Sequence, residues 1–395
     1  MMIQAVLGNP HHPEYGVATI PFPIPRDQYA HCMELLEALE IGDAVKADCK
    51  VEKIDSFYTV LKRTEMFTIN VEELNYLAKR LDSFDTGEAA QFQAMAHKLE
   101  LFELKDLINL TFCCQQATVI TDFSDLAAIG RDHYMNLHGG SASVDELNAL
   151  DGKGTARQLI ESGSGTITPY GVVYDNGMKL EQVYDGRFFP CYYYEPNAIT
   201  VAVTSKAEPE DTEHITWLYL PMVQEEIDRA LQRAGITDPT DARLWLKDNQ
   251  LPNEVDVLLD MDRESITDLN ALAQVTEDFS DEDIRKLGAV VTMARPRTAE
   301  QVKNLVENLD LFDFAPDAHT PQEYGKYMIQ QSGHFDYDEN LDAFYDYEKY
   351  GTERMNAEDG MFTDRGYIAY KGYYNMEEVM NGSQSNHMVM GGLSR

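Results

Sequence analysis

Few side chains in this sequence are spaced for covalent chemistry, and each set that could act lacks a partner. His11, His12 and Glu14 offer ligands to a metal ion, but nothing else stands at a fitting spacing, so a surface loop is the better reading. Asp260 and Asp262 are the kind of pair that holds Mg²⁺ in a nuclease, yet the charge of this chain would repel the DNA such an enzyme must cut. Gly163-Ser164-Gly165 has the glycines of a nucleophile elbow; it lies at a hairpin glycine that recurs later in the chain, so a turn explains it. Cys113 and Cys114 sit in the apolar stretch Leu110-Thr111-Phe112 and read as buried thiols. The cysteines number 5, with no C-x-x-C spacing, which fits reduced thiols in a reducing compartment. No phosphate-binding loop is present, so no catalytic group, metal or cofactor is expected.

The chemistry that remains is charge. The chain has 68 acidic and 32 basic residues, a net of −36. Residues 1 to 200 hold 29 acids and 15 bases (−14), and residues 201 to 395 hold 39 acids and 17 bases (−22), so the excess runs through the whole chain and is not confined to an acidic tail. Such a field repels nucleic acid and anionic membrane and attracts basic surfaces. Solubility or a high-salt habitat is the plainer reading. A hydrophobic content of 44% with 10% aromatics excludes a wholly disordered chain, and 395 residues suit two or more domains. The longest apolar runs, such as Ala289 to Ala294, are far shorter than a membrane helix, and Met1-Met2-Ile3-Gln4 does not begin a signal peptide. A cytoplasmic location is expected.

The elements that must carry this charge come in two sets. At an offset of 195, Glu73-Leu74-Asn75 recurs as Asp268-Leu269-Asn270, Phe84 as Phe279, Ala94 as Ala289, Asn109-Leu110 as Asn304-Leu305 and Gly130 as Gly325. Gly165, Thr168, Gly171 and Gly177 meet Gly360, Thr363, Gly366 and Gly372 in the same register. Nearer the start, Ile24-Pro25 aligns with Leu220-Pro221 after one residue of slippage. The expected organisation is a first module over 1–204, a linker over 205–213, a second module over 214–376 and a flexible tail over 377–395.

Each module reads as α+β, in three small subdomains. In the second copy, strands are expected at 216–220 and 242–246 around a helix from 223 to 234. Helices follow after the caps Ser265, Ser280 and Thr298, and Asn70 starts one in the first copy. Thr320-Pro321 opens a further helix, another spans about 340 to 355, and a hairpin pairs 360–363 with 367–370, as 165–168 pairs with 172–174. The acids fall opposite the apolar stripes: Glu277, Asp278, Asp281, Glu282 and Asp283, then Asp310, Asp313 and Asp317, then Asp336, Asp338, Glu339, Asp342, Asp346 and Glu348. Asp82, Asp85, Glu88, Asp122 and Asp125 are their counterparts in the first copy. B-DNA carries two charges per base pair, so −36 is the charge of about 18 base pairs, and an elongated array of acidic subdomains could present it as a DNA-like rod.

The stretch from Tyr324-Gly325-Lys326-Tyr327-Met328 to Asp342-Ala343-Phe344-Tyr345-Asp346-Tyr347-Glu348-Lys349-Tyr350-Gly351, with Gly366-Tyr367-Ile368, resembles the C-terminal region of ArdA-type antirestriction proteins. The resemblance reaches upstream through 268–273 and 281–287 and, more loosely, 243–248. The first module looks like a divergent copy, with Ala149-Leu150-Asp151-Gly152-Lys153-Gly154 in place of the Tyr-Asp-Tyr-Glu segment. The resemblance implies a protein of mobile, conjugative elements that imitates DNA, occupies the DNA-binding groove of type I restriction-modification enzymes and turns nothing over. It also implies an elongated molecule and a dimer, for which the duplication can substitute unless the two-module chain forms a further homodimer. Two other readings stand beside it: an acidic scaffold of a mobile element that imitates nothing, and a mimic aimed at a different nucleic-acid-binding defence protein.

Overall fold

The computed structural model describes residues 3–207 and 213–382. The fold is α+β, in two compact units: Met1–Glu195 with Glu210–Trp217 and Val223–Thr237, and Pro196–Pro209 with Leu218–Met222 and Asp238–Arg395.

In the first unit, β1 (Ile3–Gly8), β2 (Val17–Phe22), β3 (Cys49–Asp55) and β4 (Thr68–Ile69) form an antiparallel sheet of order β2-β1-β3-β4. Ile3, Ala5 and Leu7 alternate inward along β1, as a period of two requires. Helix α1 (Tyr29–Glu37) follows β2, and α2 (Val71–Asp82), α3 (Thr86–Lys98) and α4 (Leu104–Leu110) make the helical middle. The last part contains β5 (Thr118–Ile120), α5 (Leu126–Leu137), α6 (Val144–Ala149), α7 (Gly152–Glu161), β6 (Thr166–Thr168) and β7 (Gly171–Tyr174), the sheet running β5-β7-β6. Ile120, Ile129, Ala156, Leu159 and Tyr174 are its core.

Helix α8 (Gln224–Ala234) belongs to this unit although it lies far along the chain. It docks by charge. Arg229 Nε donates to Glu72 at 2.5 Å, and Lys79 Nζ bonds Glu195 at 2.9 Å and Glu226 at 3.5 Å. The buried Arg233 guanidinium donates to Ala44 O at 2.7 Å, Asn70 Oδ1 at 3.1 Å and the Tyr184 hydroxyl at 2.7 Å, and lies 4.4 Å from the Phe189 ring centre.

In the second unit, β8 (Ile199–Ser205), β9 (Thr216–Leu220) and β10 (Ala242–Asn249) pair in the order β10-β8-β9. Short α9 (Asn253–Asp256), then α10 (Ile266–Thr276), α11 (Asp281–Ala294) and α12 (Ala299–Val306) follow. The unit closes with β11 (Phe312–Pro316), α13 (Pro321–Gln330), α14 (Tyr347–Ala357), β12 (Asp359–Thr363), β13 (Gly366–Tyr370) and α15 (Met376–Met380), with sheet order β11-β13-β12. One core cluster joins Ala289, Val290, Leu305, Phe312 and Ile368, and a second joins Ala315, Tyr324, Met328 and Tyr367.

The local chemistry repeats at the 195-residue offset. Thr168 Oγ1 donates to Gly171 O at 2.8 Å, and Thr363 Oγ1 to Gly366 O at 2.8 Å. Both glycines have positive φ, 126° and 135°, where a side chain would be strained, and a Cβ would crowd Ile120 O in one case and Ala315 O in the other. In the helix pairs, a Cβ on Gly130 would overlap Gly152 O, and one on Gly325 would overlap Tyr347 O. Close packing of α13 on α14 thus needs a bare backbone at 325. Gly325→Ala is expected to force these helices apart and to cost about 2 kcal/mol or more, read as a lower midpoint of thermal unfolding.

Four details depart from the sequence expectation. Strand β8 is the middle of a sheet with β9 and β10, so 205–213 joins two strands of one sheet; residues 208–212 lie outside the described residues. The stretch expected as a loose tail begins as α15, because Val379 and Met380 are buried in the cluster with Leu305 and Phe312; residues 383–395 lie outside the described residues. The helix expected over 340–355 is divided into a 3-10 turn, Glu339–Phe344, and α14, because Asp346 leaves the helix and caps Lys349 N at 3.0 Å. Finally, Asn75 Oδ1 accepts from Ile24 N and Asn270 Oδ1 from Met222 N, each at 2.8 Å, which aligns Ile24 with Met222 and not with Leu220.

Candidate partner-binding surface

The acids singled out by sequence are exposed, apart from the half-buried Asp283 and Glu88. Most sit where helices begin, for a physical reason. A helix N-terminus presents unpaired N–H groups and a positive dipole end, so carboxylates are stabilised there.

In the second unit, Glu277 and Asp278 occupy the turn before α11, and Asp281 and Glu282 its first turn. Asp283 closes a capping box, its Oδ2 accepting from Ser280 N at 3.0 Å and Oγ at 2.6 Å. Asp310 lies on the 3-10 turn before β11, and Asp313 faces out of that strand and takes the Lys371 ammonium at 2.6 Å. Asp317, at φ 58°, takes Arg285 at 2.5 Å. Lys286 is pushed below the usual amine range by burial and then by Lys371, with Asp313, Asp310 and Asp283 opposing the shift. Two of these acids are therefore partly compensated by bases of the same unit.

Residues 331–346 carry a further run of acids. Asp338 caps the 3-10 turn, accepting from Asn340 N and Nδ2 at 2.9 Å, and Asp346 and Glu348 begin α14. Asp336 and Glu339 are exposed beside them. Asp342 Oδ1 receives Tyr347 OH at 2.6 Å, Tyr337 OH at 2.7 Å and Gln330 Nε2 at 2.9 Å. Those hydrogen bonds, Tyr347 first and then Tyr337, hold its carboxyl below the usual range. A depressed pKa in the folded state means a stabilisation present above the unfolded value and lost as pH falls through the folded one. Lowering pH from neutral to below about 4 should therefore lower the protection of amides in 331–346, measured against their intrinsic exchange rates, before the core responds, and Asp342→Asn should reduce that acid dependence.

The first unit keeps the same device with other residues. Asp85 caps α3 in a box with Glu88, at 2.8 Å and 3.1 Å, as Ser280 and Asp283 do for α11 in the second unit. Asp125 caps α5 where Thr320 caps α13. Asp122 binds Ser124 N and Oγ, and Asp82 is exposed at the end of α2.

The other sequence candidates are placed as follows. His12 pairs with Glu14 at 3.1 Å and stacks on Tyr15, Ser164 bonds Ser162 in an exposed turn, and Asp260 pairs with Arg263 at 3.1 Å. Cys113 and Cys114 are buried, and burial pushes both thiols up. Among the described residues no group of three His, Cys, Asp or Glu side chains is arranged to hold a metal ion, and no helix is long and apolar enough to cross a membrane. Sequence reasoning missed the Arg233 pocket and the Tyr337–Asp342–Tyr347 node. The clustering of tyrosines around Asp342 was the available signal for the second; the first joins residues too distant in sequence to leave any.

This surface carries negative charge ordered by helix starts and caps. Residues 212–369 match the family model described as antirestriction protein (ArdA), which supports an ArdA-type protein over this segment. Residues 1–211 lie outside the match. No curated protein matches the chain.

Proposed function

We propose that the protein is an antirestriction inhibitor that imitates DNA and occupies the DNA-binding groove of a type I restriction-modification enzyme in the cytoplasm. The observation that carries this reading is the repeated placement of exposed carboxylates at helix starts from Glu277 to Glu348, in the family-matched segment of a chain of net charge −36. Its carboxylates would meet the Lys and Arg side chains that normally neutralise phosphates, and binding would weaken steeply with salt. The partner-facing acids are Glu277, Asp278, Asp281, Glu282, Asp310, Asp336, Glu339 and Glu348, with Asp313, Asp317, Asp338, Asp342 and Asp346 adding charge while serving as caps or in pairs.

We also read the chain as two ArdA-like modules. The shared turn chemistry at Gly171 and Gly366, the two Asn-held entries and the matching sheet orders β2-β1-β3 and β9-β8-β10 support this, with the second module starting near β8 and not at 214. The second module is the inhibitory one, since the first has Ala149 to Gly154 where the Tyr-Asp-Tyr-Glu segment stands. The test is competition: the purified chain should release labelled DNA from a type I enzyme, whereas an equally acidic unrelated protein should not.

A further inference from the structure

One guanidinium in the second unit touches all three of its parts. Arg365 lies in the turn between β12 and β13, where its N–H donates to Thr363 Oγ1 at 3.2 Å. Its side chain reaches back to α9, after the first sheet, and grips Glu254 with both arms: Nε to Oε1 at 2.7 Å and Nη2 to Oε2 at 2.8 Å. On the way it crosses α11 at Gly288, where a Cβ would overlap the guanidinium. The pair is half-buried, 24% and 27% exposed, and each partner holds the other in its charged form. A two-armed grip of this kind fixes orientation as well as distance.

The first unit makes the same connection with neutral groups. At the offset of 195, Arg365 corresponds to Tyr170, Glu254 to Thr59 and Gly288 to Gln93. The Tyr170 and Thr59 hydroxyls are 2.8 Å apart, and Tyr170 N donates to Thr168 Oγ1 at 3.1 Å, as Arg365 N does to Thr363. The link has thus been kept between the same two positions while its chemistry has changed completely. Local charge balance would not require that; a joint would.

The geometry points to Arg365, with Glu254 and Gly288, as the positioning joint that sets the hairpin and its neighbouring acidic segment against α9 and α11, so that the carboxylates of α11 and of 331–348 form one binding surface. The inference rests on the proposed DNA-mimic reading. Arg365 itself need not touch the partner. Its loss would leave each acid in place on its own element but misalign the set.

The test uses the full chain, with inhibition of a type I enzyme and its salt slope as readouts. Arg365→Ala and Glu254→Ala should each weaken inhibition by about tenfold and make the slope shallower by about two, as though two phosphate-like charges no longer reached the partner. Two double variants keep the net charge: Glu254→Thr with Arg365→Tyr, which installs the hydroxyl pair of the first unit, and Glu254→Arg with Arg365→Glu, which reverses the ion pair. Restoration of both potency and slope by either double is the expected result. The inference is overturned if the single variants keep the wild-type slope, including the case where potency falls only with the folded fraction, or if neither folded double variant restores it. Failure of the wild-type chain to inhibit would instead count against the mimic reading.

Discussion

Replacing Asp278, Asp281, Glu282, Asp310, Asp336, Glu339 and Glu348 together by their amides is expected to weaken inhibition of the restriction-modification enzyme by about a hundredfold or more at moderate salt. None of these side chains caps a helix through a hydrogen bond or closes an ion pair within the described residues, so the fold should survive their neutralisation. Each amide removes one charge that a basic groove would otherwise meet, and the salt slope should become shallower by up to about 0.9 for each carboxylate neutralised. Changing Asp82 and Asp122 of the first unit to Asn should cost much less per charge removed, because that unit has Ala149-Leu150-Asp151-Gly152-Lys153-Gly154 and no Tyr-Asp-Tyr-Glu segment there. An equal loss per charge removed from both sets would show that total charge, and not placement in the second unit, governs binding.

The second large effect is on stability. Arg233→Met keeps most of the side-chain volume but removes the donors that satisfy Ala44 O, Asn70 Oδ1 and the Tyr184 hydroxyl, and the charge above the Phe189 ring. Tyr184 in turn donates to Glu73 at 2.9 Å, so the disturbance reaches α2. Breaking a buried charged network from one side costs about 3–5 kcal/mol. For a unit of this size that is a fall in unfolding midpoint of roughly 6–20 °C. Hydrogen exchange should locate the loss in residues 3–195 and 223–237 and leave 238–382 protected. Uniform loss across the chain would contradict the assignment of α8 to the first unit.

Much of the local structure was legible because it is written in neighbouring residues. Ser265, Ser280, Thr298, Thr320 and Asn70 each cap the helix their spacing announced, since a cap needs only a side-chain oxygen and an N–H two or three positions on. The hairpins formed around Gly171 and Gly366 where a positive φ was required. The 3-10 turn before α14 was missed because Asp346 reads equally well as a surface acid of a continuous helix and as a cap; only the backbone decides. The place of β8 was missed because a run of Ile, Val, Ala and Thr fits any buried strand, whichever sheet takes it. The docking of α8 was out of reach for a different reason. Arg229 with Glu72 and Arg233 with Asn70 join residues more than 150 positions apart, and no periodicity records such a pairing. The acids themselves were legible as exposed residues, but which of them cap, pair or stand open toward a partner is a matter of geometry.

The central claim is that ordered carboxylates of this chain take the place of DNA phosphates on a type I restriction-modification enzyme. It is tested most directly by titrating the purified protein into that enzyme bound to labelled DNA at two salt concentrations, beside an equally acidic unrelated protein. The account predicts near-stoichiometric release of DNA by this chain alone, weaker at the higher salt. Retention of the DNA at large excess of the chain, or equal release by the control, would contradict it.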